Sequence, residues 1–132
     1  MTYNITINIK VTDEDVMNIM CSAIEGGIGY WACLDNTTKE FEDAPKDEPY
    51  SETCAKILLN GGGVWLMDDV DDDGKYWLSL ERLLVGIENW FKSGGDKYGA
   101  VYIDGTLDCG NIDAECADAI IQFALFDDIV YG

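Results

Sequence analysis

Histidine is absent from this 132-residue chain, and arginine occurs once, at Arg82. Without histidine there is no imidazole to act as a base for a cysteine or serine nucleophile, and none to ligate zinc. With one guanidinium, a bidentate clamp on phosphate has almost no material. Eight bases face 26 acids, a formal charge of −18. Such a surface repels phosphate, so direct binding of nucleic acid, nucleotides or anionic lipid is not expected, whereas a strongly basic partner is attracted. No apolar run approaches the roughly 18 residues of a membrane span, and no charged-then-apolar export signal opens the sequence. A cytoplasmic location follows as an expectation.

What is present describes a folded domain. The chain is 48% hydrophobic and carries four Trp, four Phe and seven Tyr, too apolar for a disordered acidic tail. One domain spanning 1–132 is expected. The five cysteines are odd in number and not closely paired, so reduced thiols are the simplest reading.

Residues 3–11 alternate Tyr3, Ile5, Ile7, Ile9 and Val11 against Asn4, Thr6, Asn8 and Lys10, which predicts a half-buried strand. Thr12 with Asp15 forms a capping signature for a helix that Gly26-Gly27 ends. Ile28–Leu34 reads as a second strand. Residues 36–52 hold both prolines and many acids without a period, which predicts an exposed acidic loop. Cys54–Leu59, Val64–Met67 and Lys75–Leu78 read as strands joined by turns at 61–63 and 68–74. Ser79 caps an amphipathic helix, Ala100–Ile103 reads as a strand, and Asp113 caps a last helix. The order predicts an α+β fold, with a mainly antiparallel sheet of about five strands and three helices packed on it.

Several constellations reduce to ordinary structure. Asp69 to Gly74 matches the first half of a calcium loop, but the position of the bidentate Glu is Leu80. No C-x-x-C exists for zinc, and the glycine clusters lack a phosphate-loop context. Metal, cofactor and catalytic residues are therefore expected to be absent, and the chain is read as a non-enzyme. The loop acids resist a bland reading, because sustained like charge costs stability. Asp68, Asp69, Asp71, Asp72 and Asp73 on the hairpin, and Glu40, Glu42, Asp43, Asp47 and Glu48 on the long loop, are the candidate partner-binding residues.

Three segments carry a resemblance: Glu25-Gly-Gly-Ile-Gly-Tyr-Trp31, Gly95-Asp-Lys-Tyr-Gly99, and Ile112-Asp through Ala117-Asp-Ala-Ile-Ile-Gln-Phe-Ala-Leu-Phe126 to Ile129-Val-Tyr-Gly132. They resemble a family of small phage- and prophage-encoded proteins with no assigned chemistry. The resemblance implies an accessory protein acting in the bacterial cytoplasm and transfers no site residues. A domain of this length is about 36 Å across, over which duplex DNA carries roughly 21 charges. Phage context and DNA-like charge together predict an anti-defence inhibitor of the anti-CRISPR or anti-restriction type. It would act as an acidic mimic that occupies the nucleic-acid-binding surface of a host nuclease complex. The alternatives are a protein that sequesters a small ligand or nucleotide signal, using the glycine-rich turns with Tyr30, Trp31 and Tyr98, and a protein–protein adaptor. A deep concave pocket favours sequestration; a flat one-signed face favours mimicry.

Overall fold

The computed structural model describes all residues of the chain except Ile7 and Asp72, together with every side chain but those two and Asp96. Helix α1 (Asp13–Ser22) opens on a reciprocal cap: Thr12 Oγ1 accepts from Asp15 N–H at 3.1 Å, and Asp15 Oδ2 accepts from Thr12 N–H at 2.9 Å. It buries Val16, Ile19 and Met20 and runs on into a π-helical turn over Ala23–Gly27. A Cβ on Gly27 would lie 2.6 Å from Ala114 O, so only glycine lets this turn meet the start of the last helix.

Strands β1 (Ala32–Leu34), β2 (Gly63–Asp68) and β3 (Lys75–Ser79) form an antiparallel sheet in the order β1-β2-β3. Ala32 pairs with Asp68, Leu34 with Leu66, and Trp65 with Trp77. Val64, Leu66 and Leu78 turn inward, while Trp65 and Trp77 meet edge to face at 4.9 Å on the opposite face. Between β1 and β2 lie α2 (Lys39–Asp43) and α3 (Tyr50–Leu59), and α3 packs on α1. Helix α4 (Leu80–Lys92) starts where Ser79 Oγ accepts from Arg82 N–H, and α5 (Ala114–Phe126) where Asp113 Oδ1 accepts from Cys116 N–H at 2.8 Å. Gly86 brings α4 and α5 together, since a Cβ there would stand 2.5 Å from Ile120 O.

The architecture is α+β with an antiparallel sheet, but among the described residues there are three strands and five helices, not about five and three. Among the described residues of 3–11 no strand forms: Tyr3 and Ile5 are exposed, and the one pairing is a parallel bridge between Lys10 and Thr106; Ile7 lies outside the described residues. Alternation specifies a strand only where a sheet edge is offered, and none lies beside residues 1–6. Ile28–Trp31 forms a turn, with N–H groups of Trp31 and Ala32 both donating to Ile28 O, so β1 keeps three residues of the expected seven. Cys54–Leu59 belongs to a helix. The apolar run is too short to show its period, and the chain enters from Pro49, whose carbonyl accepts the first helical bond, from Thr53 N–H. Residues 36–52 are not a loop throughout: α2 and the start of α3 fall in them, and Phe41 is buried edge-on to Tyr50. Ala100–Ile103 contributes only the isolated bridge of Val101 with Leu107.

Candidate ligand-binding cleft

Beyond Glu115 in its first turn, helix α5 is apolar apart from two interior polar residues one turn apart, Asp118 and Gln122, both buried. Burying a carboxylate and an amide is costly unless their polar atoms are hydrogen-bonded. Here each one is. Asp118 Oδ1 accepts from Trp31 Nε1 at 2.8 Å and from Gln122 Nε2 at 3.0 Å, while its Oδ2 accepts from the Tyr30 hydroxyl at 2.6 Å. Gln122 Oε1 accepts the N–H groups of Val130 and Tyr131, both at 2.8 Å, and its Nε2 donates to Tyr131 O at 3.0 Å. The side-chain amide thus holds residues 130–131 as a neighbouring strand would. The chain can return along the helix because Asp127 adopts a left-handed conformation, φ 58°.

Tyr131 completes the structure. Its ring stacks on Trp31 at 4.9 Å and 11°, and its hydroxyl donates to Asp68. Asp68 also accepts from Tyr76 OH at 3.2 Å and from the N–H groups of Val70 and Asp71 at 2.8 and 2.9 Å. Burial alone raises the Asp68 carboxyl pKa; the bonds from Tyr131, Asp71, Val70 and Tyr76 outweigh it and hold the group below the usual carboxylate range. The Tyr131 phenol is pushed up by its bond to that carboxylate and by burial, and Tyr30 is pushed up to about 12 by burial and its bond to Asp118.

Beside this network opens a cleft of about 550 Å³. Gly26, Gly27 and Tyr30, Trp90 and Tyr98, Glu115, Asp118 and Gln122 of α5, and Ile129, Tyr131 and Gly132 line it. Trp90 and Tyr98 stack at 6.0 Å and 12°. Tyr30 and Tyr98 are about half exposed (56% and 49%), so both rings face the opening. The three segments that carry the resemblance, distant in sequence, all reach this cleft. Cys116 also lines it, but burial, then the bond with Asp113, pushes its thiol up to about 11, which suits no nucleophile near neutral pH. Among the described residues no cluster of three or more His, Cys, Asp or Glu is arranged around a metal position.

The acids singled out from sequence do not gather. Asp68 is buried and structural, so its assignment to a partner surface is corrected. Asp69 is exposed and accepts from Cys33 Sγ; Asp71 and Asp73 are exposed on the turn; Asp72 lies outside the described residues. Asp43 pairs with Lys39 at 3.0 Å, and the half-buried Glu48 is held by Lys56 and by Thr53 Oγ1. Glu40, Glu42 and Asp47 are exposed. The register sets Ala32 beside Asp68, so the acidic turn and residues 36–52 leave the sheet from opposite ends. Sequence reasoning missed Asp118, Gln122 and Tyr131 as a unit; two polar residues four apart in an apolar helix are the signal that marks them. Comparison with family models, curated proteins and solved structures finds no match to the chain.

Proposed function

We propose that this chain is a binding protein whose recognition site is the cleft between α5, the π-helical turn and Tyr98. The supporting observation is the convergence of three distant glycine- and aromatic-bearing segments on one cavity of about 550 Å³, within the range of small-ligand sites. The lining limits the ligand class. The half-exposed Tyr30 ring and the edge of the Trp90–Tyr98 stack offer aromatic surface to a flat or cationic group, and Glu115 and Asp118 make the site locally negative. No lysine or arginine is among the described lining residues; Lys97 sits over the Tyr98 ring at 5.4 Å, and Arg82 is engaged with Leu125 O. An anionic nucleotide is therefore disfavoured, and a flat neutral or amine-bearing ligand fits better. Tryptamine and arginine amide at millimolar concentration are suitable probes. They should raise the melting temperature of the wild type and not of Tyr98→Ala or Glu115→Gln, as binding to the native state alone requires. If neither probe stabilises the wild type, the cleft reading fails.

A second reading keeps charge mimicry of nucleic acid against a basic host protein, as in an anti-defence inhibitor. It is favoured by the exposure of Asp69, Asp71 and Asp73 on one turn, in a chain of formal charge −18. A partner captured from host lysate should then lose affinity for the Asp69, Asp71 and Asp73 to Asn triple variant and weaken with salt. Unchanged binding of that variant at every salt concentration would remove this reading without touching the first.

A further inference from the structure

Beyond the cleft, we infer that residues 2–6 form an interaction surface for a second copy of this chain. In a chain with 26 acids, residues 1–12 contain none and include Lys10. Tyr3 and Ile5 point to solvent, 79% and 85% exposed, and no backbone hydrogen bond among the described residues reaches residues 2–6. This is strand-forming sequence whose backbone groups make no backbone hydrogen bond among the described residues.

The segment is self-complementary when reversed. Antiparallel pairing of two copies about Asn4 sets Thr2 opposite Thr6 and Tyr3 opposite Ile5, twice each. Threonine pairs and aromatic–β-branched pairs are both favourable across strands. One face of the ribbon is then wholly apolar. Five paired residues alone are marginal, so the ribbon needs a surface to cover. Alongside lies a groove of about 580 Å³ against α4, where Ile9, Val11, Leu84, Ile87 and Phe91 form an apolar lining with Thr6, Asn8 and the Glu88–Lys92 pair at its border. Apolar side chains of the second copy fill it, which also covers Leu84, now 41% exposed. Charge selects the place as well: two bodies of −18 repel, residues 1–12 carry no carboxylate, and the one carboxylate lining the groove, Glu88, is paired with Lys92 at 3.1 Å.

This origin gives the dimer an unusual salt response. Raising salt to about 0.5 M shortens the screening length below about 8 Å and relieves the repulsion between the bodies, so association strengthens. Sedimentation velocity of untagged protein from about 10 to 200 µM should show a reversible dimer whose population rises with concentration and salt. Ile5→Asp and Tyr3→Asp should be monomeric throughout, with unchanged far-UV circular dichroism, because both positions are exposed in the single chain. Amides of residues 3–6 should gain exchange protection only as the dimer forms. A wild type that stays monomeric at the highest concentration and salt overturns the inference. So does a dimer that survives Ile5→Asp, or one in which those amides exchange freely.

Discussion

Trp31 Nε1 donates to Asp118 Oδ1 across 2.8 Å, and this bond ties the entry of the sheet to the middle of α5. Both partners are buried, and the same carboxylate serves Tyr30 and Gln122. Replacing Asp118 with Ala removes three hydrogen bonds and leaves the buried Trp31 Nε1 with no acceptor, while Tyr30 OH and Gln122 Nε2 keep Tyr131 O. Hydrogen bonds to charged groups contribute about 1.5–3 kcal/mol, and a stranded donor adds to the loss. Asp118→Ala is therefore expected to lose at least about 2 kcal/mol, read as a lower urea midpoint at an unchanged slope.

Asp68 and its hairpin neighbours should respond oppositely to the same chemical change. Asp68→Asn places an amide against hydroxyl and N–H donors and is expected to cost about 1–3 kcal/mol. Asp69, Asp71 and Asp73 changed together to Asn should stay within about 0.5 kcal/mol each, or gain stability as repulsion falls. Thermal melts of the two variants side by side check the contrast. Equal melting temperatures would mean that Asp68 carries no more load than the exposed acids.

The depressed Asp68 pKa has a definite signature in acid. Because the folded value lies below the unfolded one, the unfolded chain binds the extra proton, and stability rises with pH through that interval. Its contribution is fully present above the unfolded carboxylate pKa, about 3.9, and is lost as pH falls through the lower folded value. Other carboxylates shift the same way, so the informative quantity is the difference between wild type and Asp68→Asn. That difference should be constant above pH 5 and shrink below pH 4.

Gln122 should act as the clasp of residues 130–131. Gln122→Leu keeps the bulk of the side chain but removes two acceptor bonds and one donor bond to the main chain. Hydrogen exchange at the Val130 and Tyr131 amides should accelerate, and Trp31 fluorescence should shift to the red as the Tyr131 ring leaves it. Unchanged protection at both amides would show that the ring stacking alone holds the segment.

Thiol accessibility should divide the cysteines. Cys33 is exposed, whereas Cys54 and Cys116 are buried, and burial pushes the Cys54 thiol up to about 12. In native protein at pH 8, Cys33 should react first with a thiol-specific reagent, and Cys54 and Cys116 only after denaturation. Early loss of Cys116 would place it in an open, reactive setting and reopen a covalent role for the cleft.

Local signals were legible wherever the determinant was local. Thr12 with Asp15, Ser79 and Asp113 each mark a helix start, because a cap is decided within four residues by its own side chain. The β2–β3 hairpin was legible for the same reason: its turn chemistry and alternation lie within one short stretch. The net charge of −18 is likewise a property of the sequence alone. Tertiary structure decided the rest. Cys54–Leu59 became helical because its apolar run fits either period, and contact with α1 selects one. Among the described residues of 3–11 only Lys10 finds a bridge partner, because a strand needs an edge that no local pattern supplies. Asp68 and Asp69 are neighbours of identical chemistry, yet alternation across β2 and the reach of Tyr131 bury one and leave the other in water. The cleft depends on Tyr30, Tyr98 and Asp118 arriving from separate parts of the chain, a coincidence in space that no spacing in the sequence encodes.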